Sequence, residues 1–253
     1  MDKQRMQRLK QHPRSGFIRA IQEKDIAACL VKTAEIHGHF CPGSAFGVMA
    51  TLMGLDLLEN IPAGQGSDGD TGPGTSQGME NLMAVVEINA CFADGVQAVS
   101  GCTLGNNALV FRDLGKMAVT FALRGRDKGV RIRLKGNLRD HVDRVRPDFF
   151  PLMEKVFKDR SGTSTDMAAF REKGREAAFE LIRHPLDTYF AAQIIVPDLP
   201  PYAPIVPGLV CPGCGEAVMA TKTTTRDTGE SVCLPCAGSS VRQVDGRGIR
   251  RSE

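Results

Sequence analysis

The feature that most constrains the fold is a pair of CxxC motifs near the C-terminus. Cys211 and Cys214 form the first pair in "CPGCGEAV", and Cys233 and Cys236 form the second in "CLPCAG". Two tight turns of this kind can present four thiolates to one ion in a tetrahedral arrangement. The segment has too few apolar residues to fold without a metal. We therefore predict a structural Zn²⁺ on these four cysteines; four free thiols or two disulfides are the alternatives.

A proline-rich stretch, "DLPPYAPIVPG", separates this module from the rest of the chain and has the composition of a linker. Modules of this kind dock to protein, to nucleic acid or to a second copy of their own chain. We predict four parts, namely a metal-binding core domain at 1–198, a linker at 199–207, a four-cysteine zinc-finger module at 208–240 and a disordered basic tail at 241–253.

The order of helical and strand patterns before the linker indicates an α+β core. Apolar residues recur at helical spacing, and short segments rich in Val and Ile alternate as strands do. Residues 62–78 are rich in Gly, Pro and Ser, and we expect a mobile loop there. The expected fold is α+β, with a mostly antiparallel sheet, packed helices and a small treble-clef or ribbon-like zinc module. The predicted helices are 17–36, 44–60, 94–101, 147–159 and 166–184, and the predicted strands are 81–90, 117–123, 129–136 and 189–197.

The stretch "EIHGHFCPGSAFGV" places His37, His39 and Cys41 within five positions. Cys41 immediately precedes a predicted helix, whose N-terminus favours a thiolate. Thiolate and imidazole are donors that divalent transition metals accept. We therefore predict a ligand site built on two or three of these side chains. The alternative is that the histidines cap a helix or contact a second chain, and that Cys41 is a small buried residue.

A second group of polar residues lies in "CFADGVQAVSGCTLGNNAL". Cys102 and Thr103 begin "CTLGN", which is predicted to be a tight loop that faces a ligand. Asp94 is either a ligand or the N-cap of the short helix that follows it, and Cys91 taken alone reads as a core residue. The predicted core site comprises His37, His39, Cys41, Asp94, Cys102 and Thr103.

The motifs "HGHFCPGSAFGV", "CFADGVQAVSGCTLGNNALVFRDLGKMAVTF" and the two CxxC pairs, in this order, resemble the FmdE family of formylmethanofuran dehydrogenase proteins over roughly residues 25–240. The resemblance implies an α+β core that dimerises, a metal site on the HGHxCPG and GCT segments, and often a C-terminal zinc finger. Two positions depart from the family pattern. Asn89 stands where an acidic residue is usual, and residues 105–108 read Gly-Asn-Asn-Ala instead of Gly-Lys-Gly-Asn.

The resemblance and the motifs together favour a homodimeric metal-binding protein. Besides the structural Zn²⁺, it would hold a second divalent transition metal in an open core site. Its role would be accessory to a molybdenum or tungsten oxidoreductase, or to other redox metabolism, with an oxidoreductase as partner protein. The molybdenum or tungsten chemistry of the family's namesake enzyme belongs to its other polypeptides, so the resemblance leaves open whether this chain is an enzyme.

Three alternatives accompany this interpretation. In the first, the chain is a metal-independent thiol enzyme with Cys41 as nucleophile and His39 or His37 as base. In the second, the zinc finger docks on a partner and the core only dimerises. In the third, His and Cys ligate a haem; the chain lacks the CxxCH motif of covalent attachment.

Composition narrows the setting. No apolar run approaches the ~18 residues of a transmembrane helix, and the polar N-terminus lacks the apolar segment of a signal peptide. We therefore expect a cytoplasmic protein without a membrane partner, in which eight cysteines serve as metal ligands or reactive thiols. A net charge of +3 is too small to favour a nucleic-acid partner.

Overall fold

The computed structural model describes residues 13–62 and 81–252. The loop predicted at 62–78 therefore lies, from residue 63 onwards, outside the described residues. The chain divides into two compact units, Met1–Leu199 and Pro200–Glu253. Within the described ranges, no helix combines the length and apolar character that crossing a bilayer requires.

The first unit is built on a five-stranded sheet with the strand order β2-β1-β3-β4-β5. Among these five described strands, β1 and β2 run parallel, and the other neighbouring pairs are antiparallel. The predicted α+β fold with a mostly antiparallel sheet is thus confirmed. The hairpin expected from alternating apolar residues is β3 and β4, whereas β2 was not predicted. The strands are β1 (Leu82–Val86), β2 (Leu109–Phe111), β3 (Ala118–Leu123), β4 (Gly129–Leu134) and β5 (Phe190–Ile195).

Eight α-helices accompany this sheet within the described residues. The segment 17–36, predicted as one helix, is two, because Lys24 adopts a positive φ of 53° and Asp25 caps the second helix by accepting a hydrogen bond from the Ala28 N–H. Helix α5 was not predicted. The helices are α1 (Ser15–Gln22), α2 (Ile26–His37), α3 (Pro42–Glu59), α4 (Cys91–Ser100), α5 (Leu138–Val145), α6 (Phe149–Met153), α7 (Ser164–Leu181) and α8 (Leu186–Tyr189). A π-helical turn, Glu154–Lys158, continues α6.

Helix α3 is the central element of the core. Phe46 and Met49 are fully buried and belong to one apolar cluster with Phe121 and Ile132 of the sheet. At Gly54 the helix touches the sheet so closely that a Cβ would lie 2.4 Å from the Phe121 ring. Each large side chain buried in this way stabilises the fold by about 1.5–3 kcal/mol. The packing fixes the N-terminus of α3, where Cys41 lies.

The second unit consists of short hairpins around four cysteines, a cluster compatible with a zinc module. Val232, fully buried, is one of the few apolar side chains in its small core. The paired strands are β6 (Gly208–Val210) with β7 (Ala217–Met219), β8 (Thr223–Thr225) with β9 (Ser231–Cys233), and β10 (Arg242–Asp245) with β11 (Gly248–Arg251).

The prediction of a disordered tail at 241–253 was wrong, because β10 and β11 form an antiparallel hairpin there. Val244 and Ile249 are cross-strand partners, and such pairs stabilise a hairpin. The turn is closed by the Asp245 side chain, which accepts a hydrogen bond from the Arg247 N–H at 2.7 Å. Gly248 has φ 100°, a conformation that favours glycine. The basic composition of the segment concealed this turn signal.

Candidate metal centre

The first part of the site is the junction between α2 and α3. Helix α2 ends at His37, and Gly38 follows in the left-handed region with φ 83°, as a helix C-cap commonly requires. Cys41 is the N-cap of α3, and its Sγ accepts a hydrogen bond from the Ser44 N–H at 3.3 Å. Cys41 therefore takes the capping role that was expected of Ser44. The short reversal brings one imidazole and one thiol to the same point.

The second part is the start of α4, which lies against the start of α3. A Cβ at Gly47 would be 2.1 Å from the Phe92 carbonyl oxygen, and one at Gly95 would be 2.5 Å from the Ser44 carbonyl oxygen. Only glycines allow the two backbones to approach this closely. As a result Cys91, the first residue of α4, stands beside Cys41.

Three side chains with metal-binding donor atoms meet at this junction. The donor atoms of His37, Cys41 and Cys91 all lie within 4.8 Å of one another. Nε2 of His37 is 3.4 Å from Sγ of Cys41. Cys41 is buried, while the other two side chains are partly exposed. The cluster is thus reachable from one side and enclosed on the other.

The Asp94 carboxylate fixes the orientation of the His37 ring. Its Oδ2 lies 2.8 Å from His37 Nδ1, and its Oδ1 accepts a hydrogen bond from Gln97 Nε2 at 3.3 Å. A carboxylate on the second nitrogen is the usual support of a metal-binding histidine. Asp94 is not the N-cap that we considered, because α4 begins three residues earlier, at Cys91.

The cluster polarises its own ionisable groups. Hydrogen bonding to Cys91, and then to His37 and Ser44, lowers the pKa of Cys41 to about 4 against the opposing effect of burial. Hydrogen bonds from Cys41 and then Asp94 raise the pKa of His37 to about 9. The neighbouring Cys41 sulfur also raises the pKa of Cys91. The apo site therefore concentrates negative charge on Cys41 and positive charge on His37.

His39 lies at the edge of this cluster. Its side chain is exposed, and its ring packs on that of His37 with centroids 4.4 Å apart. Its ring nitrogens are not part of the group of donor atoms within 4.8 Å. The structure thus places His39 over the entrance and not among the converging donors.

The remaining predicted core residues lie elsewhere. Cys102 is 2% exposed, and its Sγ donates a hydrogen bond to the Leu82 carbonyl at 3.3 Å. In the loop, the Asn106 side chain accepts the Thr103 N–H and donates to the Gly101 carbonyl. The predicted ligand-facing loop therefore uses these polar groups to hold its own turn, and neither Cys102 nor Thr103 joins the cluster.

Cys91 is the member that the sequence prediction missed. Its position at the first turn of a helix, three residues before Asp94, was the available signal, because both side chains then project from the start of one helix. It was assigned to the core because a cysteine followed by Phe-Ala reads as apolar.

The second cluster lies in the C-terminal unit. The sulfur atoms of its four cysteines, in both CxxC pairs, lie within 4.8 Å of one another. Cys211 is buried and accepts a hydrogen bond from the Cys233 N–H at 3.4 Å. Backbone N–H groups, that of Cys233 first, lower the pKa of Cys211 to about 6. Four sulfur donors in this arrangement suit a tetrahedral metal and leave no open position.

Comparison with known proteins agrees with these observations. The family model described as "FmdE, Molybdenum formylmethanofuran dehydrogenase operon" matches residues 36–191. A protein of Archaeoglobus fulgidus, described as a probable S-adenosyl-L-methionine-binding protein, is 33% identical over 234 residues, which are 92% of this chain and 58% of that protein. This chain thus spans less than two thirds of that relative's length.

Among solved structures, an FmdE-like protein of tungsten formylmethanofuran dehydrogenase from Syntrophus aciditrophicus is similar to this chain. The two share 20% sequence identity with a TM-score of 0.47, and the similarity covers 84% of this chain and 92% of the other.

Proposed function

The chain belongs to the FmdE family, and from this membership and its two sulfur-rich clusters we propose that it is a metal-binding protein with two sites of different kinds. The core site is open and reactive, and the C-terminal site is structural. The observation that carries the proposal is the convergence of His37, Cys41 and Cys91 within 4.8 Å.

The donor set fits a divalent transition metal. Two thiolates and one imidazole match the ligand preferences of Zn²⁺, Co²⁺ and Ni²⁺ better than those of Mg²⁺ or Ca²⁺. Three protein ligands leave a fourth position for water or a small ligand. A metal bound there would supply a Lewis acid or a water molecule of lowered pKa. Asp94 would hold the His37 ring in the orientation that presents Nε2.

The C-terminal cluster fits zinc in a closed site. The small apolar core around Val232 offers little hydrophobic stabilisation, so the metal would supply much of the folding free energy of this unit. Zinc-supported hairpins commonly provide docking surfaces. This supports an accessory role, in which a homodimer assists a molybdenum or tungsten oxidoreductase.

We place this protein in the cytoplasm. All eight cysteines are free, and the proposed ligands must stay reduced to bind metal. A reducing compartment provides that condition.

Metal content measured by inductively coupled plasma mass spectrometry tests the proposal. We expect about two metal ions per chain for the wild type and about one for Cys91→Ala, because a site with three protein ligands loses most of its affinity with one of them. Cys29→Ala, a buried cysteine outside both clusters, is the matched control and should keep both ions. One ion in wild type and Cys91→Ala alike would refute the core site.

A second candidate is a thiol enzyme, which the relay of Cys41, His37 and Asp94 favours. Sγ to Nε2 is 3.4 Å and Nδ1 to Oδ2 is 2.8 Å, the order of nucleophile, base and orienting carboxylate. Alkylation of Cys41 by iodoacetamide separates the candidates. A metal site predicts that chelation accelerates alkylation, whereas a metal-free thiol enzyme predicts no effect of the chelator.

S-adenosyl-L-methionine is a candidate ligand, because the similar protein of A. fulgidus is described as a probable binder of that molecule. Isothermal titration calorimetry of the full chain, before and after metal loading, tests it. Binding would support a shared ligand, and the absence of heat at millimolar ligand would exclude it.

A further inference from the structure

We propose that Cys41 and Cys91 act as a thiol pair that closes to an intramolecular disulfide by exchange with low-molecular-weight disulfides. The proposal uses two sulfur atoms of the proposed metal site but does not require that a metal binds there. It adds a redox activity to a cluster otherwise considered only as a set of ligands.

The two sulfurs face each other across open space. Both lie in the group of donor atoms within 4.8 Å. A Cβ placed on Gly43 would be 3.7 Å from Cys91 Sγ and 3.8 Å from Cys41 Sγ, so the glycine leaves the space beside both sulfurs clear. Rotation of the two side chains can therefore bring the sulfurs together without moving either helix. Disulfides need such a juxtaposition, because they span only short distances between backbones.

The surrounding backbone holds the pair in place. Gly47 and Gly95 bring the starts of α3 and α4 into direct contact. A rigid pair reacts faster with itself than with a second molecule, because the effective concentration of the partner thiol is high. The pairing is therefore favoured over a stable adduct with a small thiol.

The other cysteines of the first unit are poor competitors. Cys29 is fully buried in an apolar cluster, and Cys102 is buried and bonded to the Leu82 carbonyl. Cys91 is partly exposed, so a small disulfide can reach the pair. Cys41 is the attacking thiol, because the Ser44 N–H and the His37 ring stabilise its thiolate.

The reaction proceeds by two exchanges. The Cys41 thiolate attacks one sulfur of the reagent RSSR, forming a Cys41–S–S–R bond and releasing RS⁻. Cys91 loses its proton to this RS⁻, and its sulfur then attacks the Cys41 sulfur, releasing a second RS⁻. The two cysteines together lose two electrons, and the reagent is reduced to RSH and RS⁻. The disulfide and a bound metal exclude each other, because both require the same sulfur electron pairs.

The test treats chelated full-length protein with oxidised glutathione and maps the cysteines by mass spectrometry without reduction. Trypsin alone is uninformative, because residues 33–112 contain no cleavage site before Arg112. Adding a glutamyl protease cuts after Glu59 and Glu87 and separates Cys41 from Cys91. We expect peptides 36–59 and 88–112 to be linked, with a loss of two hydrogen atoms.

Two variants make the assignment specific. Cys102→Ser removes the cysteine that shares a peptide with Cys91, and it should form the same link. Cys91→Ser should stop at a glutathione adduct on Cys41. A persistent adduct in the wild type, or a link that disappears in Cys102→Ser, would overturn the proposal. Since the assay uses chelated protein, failure of the proposed metal site leaves its outcome unchanged, and metal content of the reduced protein tests that site separately.

Discussion

The Asp94 carboxylate lies 2.8 Å from Nδ1 of His37, although the two residues are 57 positions apart in the chain. This contact joins the end of α2 to the first turn of α4. It directs the other ring nitrogen, Nε2, towards Cys41 at 3.4 Å. The orientation of the imidazole is therefore set before any ligand arrives, which is the condition for tight and specific metal binding.

We predict that Asp94→Asn weakens metal binding at the core site by roughly 10–100-fold, because loss of a supporting carboxylate has effects of this size. The amide cannot carry the negative charge that increases the basicity of the ring. Competition with a chromophoric chelator measures the affinity. Asp56→Asn is the matched control, since Asp56 only pairs with Lys24 on the surface. Equal affinities for wild type and Asp94→Asn would show that the carboxylate has no supporting role.

The pH dependence of stability should change at the start of α7. Lys155, 2.8 Å away, and then the Thr163 N–H lower the pKa of Asp166 to about 2. Because this value is below the ordinary 3.8, the ionised side chain stabilises the folded state above pH 3.8, and that contribution is lost as the pH falls through about 2. Asp166→Asn should therefore lower the melting temperature at pH 6.

The same reasoning predicts that the melting temperatures of Asp166→Asn and wild type converge as the pH approaches 2. Glu172→Gln, which removes an exposed ion pair with Arg175 on the same helix, should change the melting temperature little at either pH. A difference between Asp166→Asn and wild type that is independent of pH would contradict an electrostatic origin.

Patterns read from the sequence located the elements of the core well, because burial imposes its own period. The hairpin of β3 and β4 alternates in composition, and the four-cysteine cluster follows from spacing alone. Short elements were harder. Helix α5 has polar residues on most positions, and β2 is only three residues long, so neither gave a clear period.

The core site was predicted in part, and the reason is geometric. His37 and Cys41 are close in sequence, so a local motif revealed them. The approach of Cys91 depends on glycines in two helices that are distant in sequence, and no local pattern reports such packing. Cys102 was included because its loop is rich in small polar residues, which here bond to the loop itself.

Removal of the proposed structural zinc should unfold only the C-terminal unit. Cys214→Ser would leave three sulfur ligands, and the unit has little apolar core to compensate. Limited proteolysis should then cleave within residues 208–252, while Met1–Leu199 stays resistant. Cys102→Ser is the control and should keep both units resistant. A protected C-terminal unit in Cys214→Ser would mean that it folds without the metal.

The glycine contact between α3 and α4 gives the most direct test of how the core site is assembled. A methyl group at position 47 would lie 2.1 Å from the Phe92 carbonyl oxygen, so Gly47→Ala must push the helices apart. Overpacking of this kind costs about 1–3 kcal/mol, and the shift would also draw Cys91 away from Cys41. We expect both a lower melting temperature and loss of the core metal. Gly105→Ala is the control, because a Cβ there meets only Thr103 Oγ1 at 4.0 Å. If Gly47→Ala keeps its metal at wild-type affinity, close helix packing does not position the ligands.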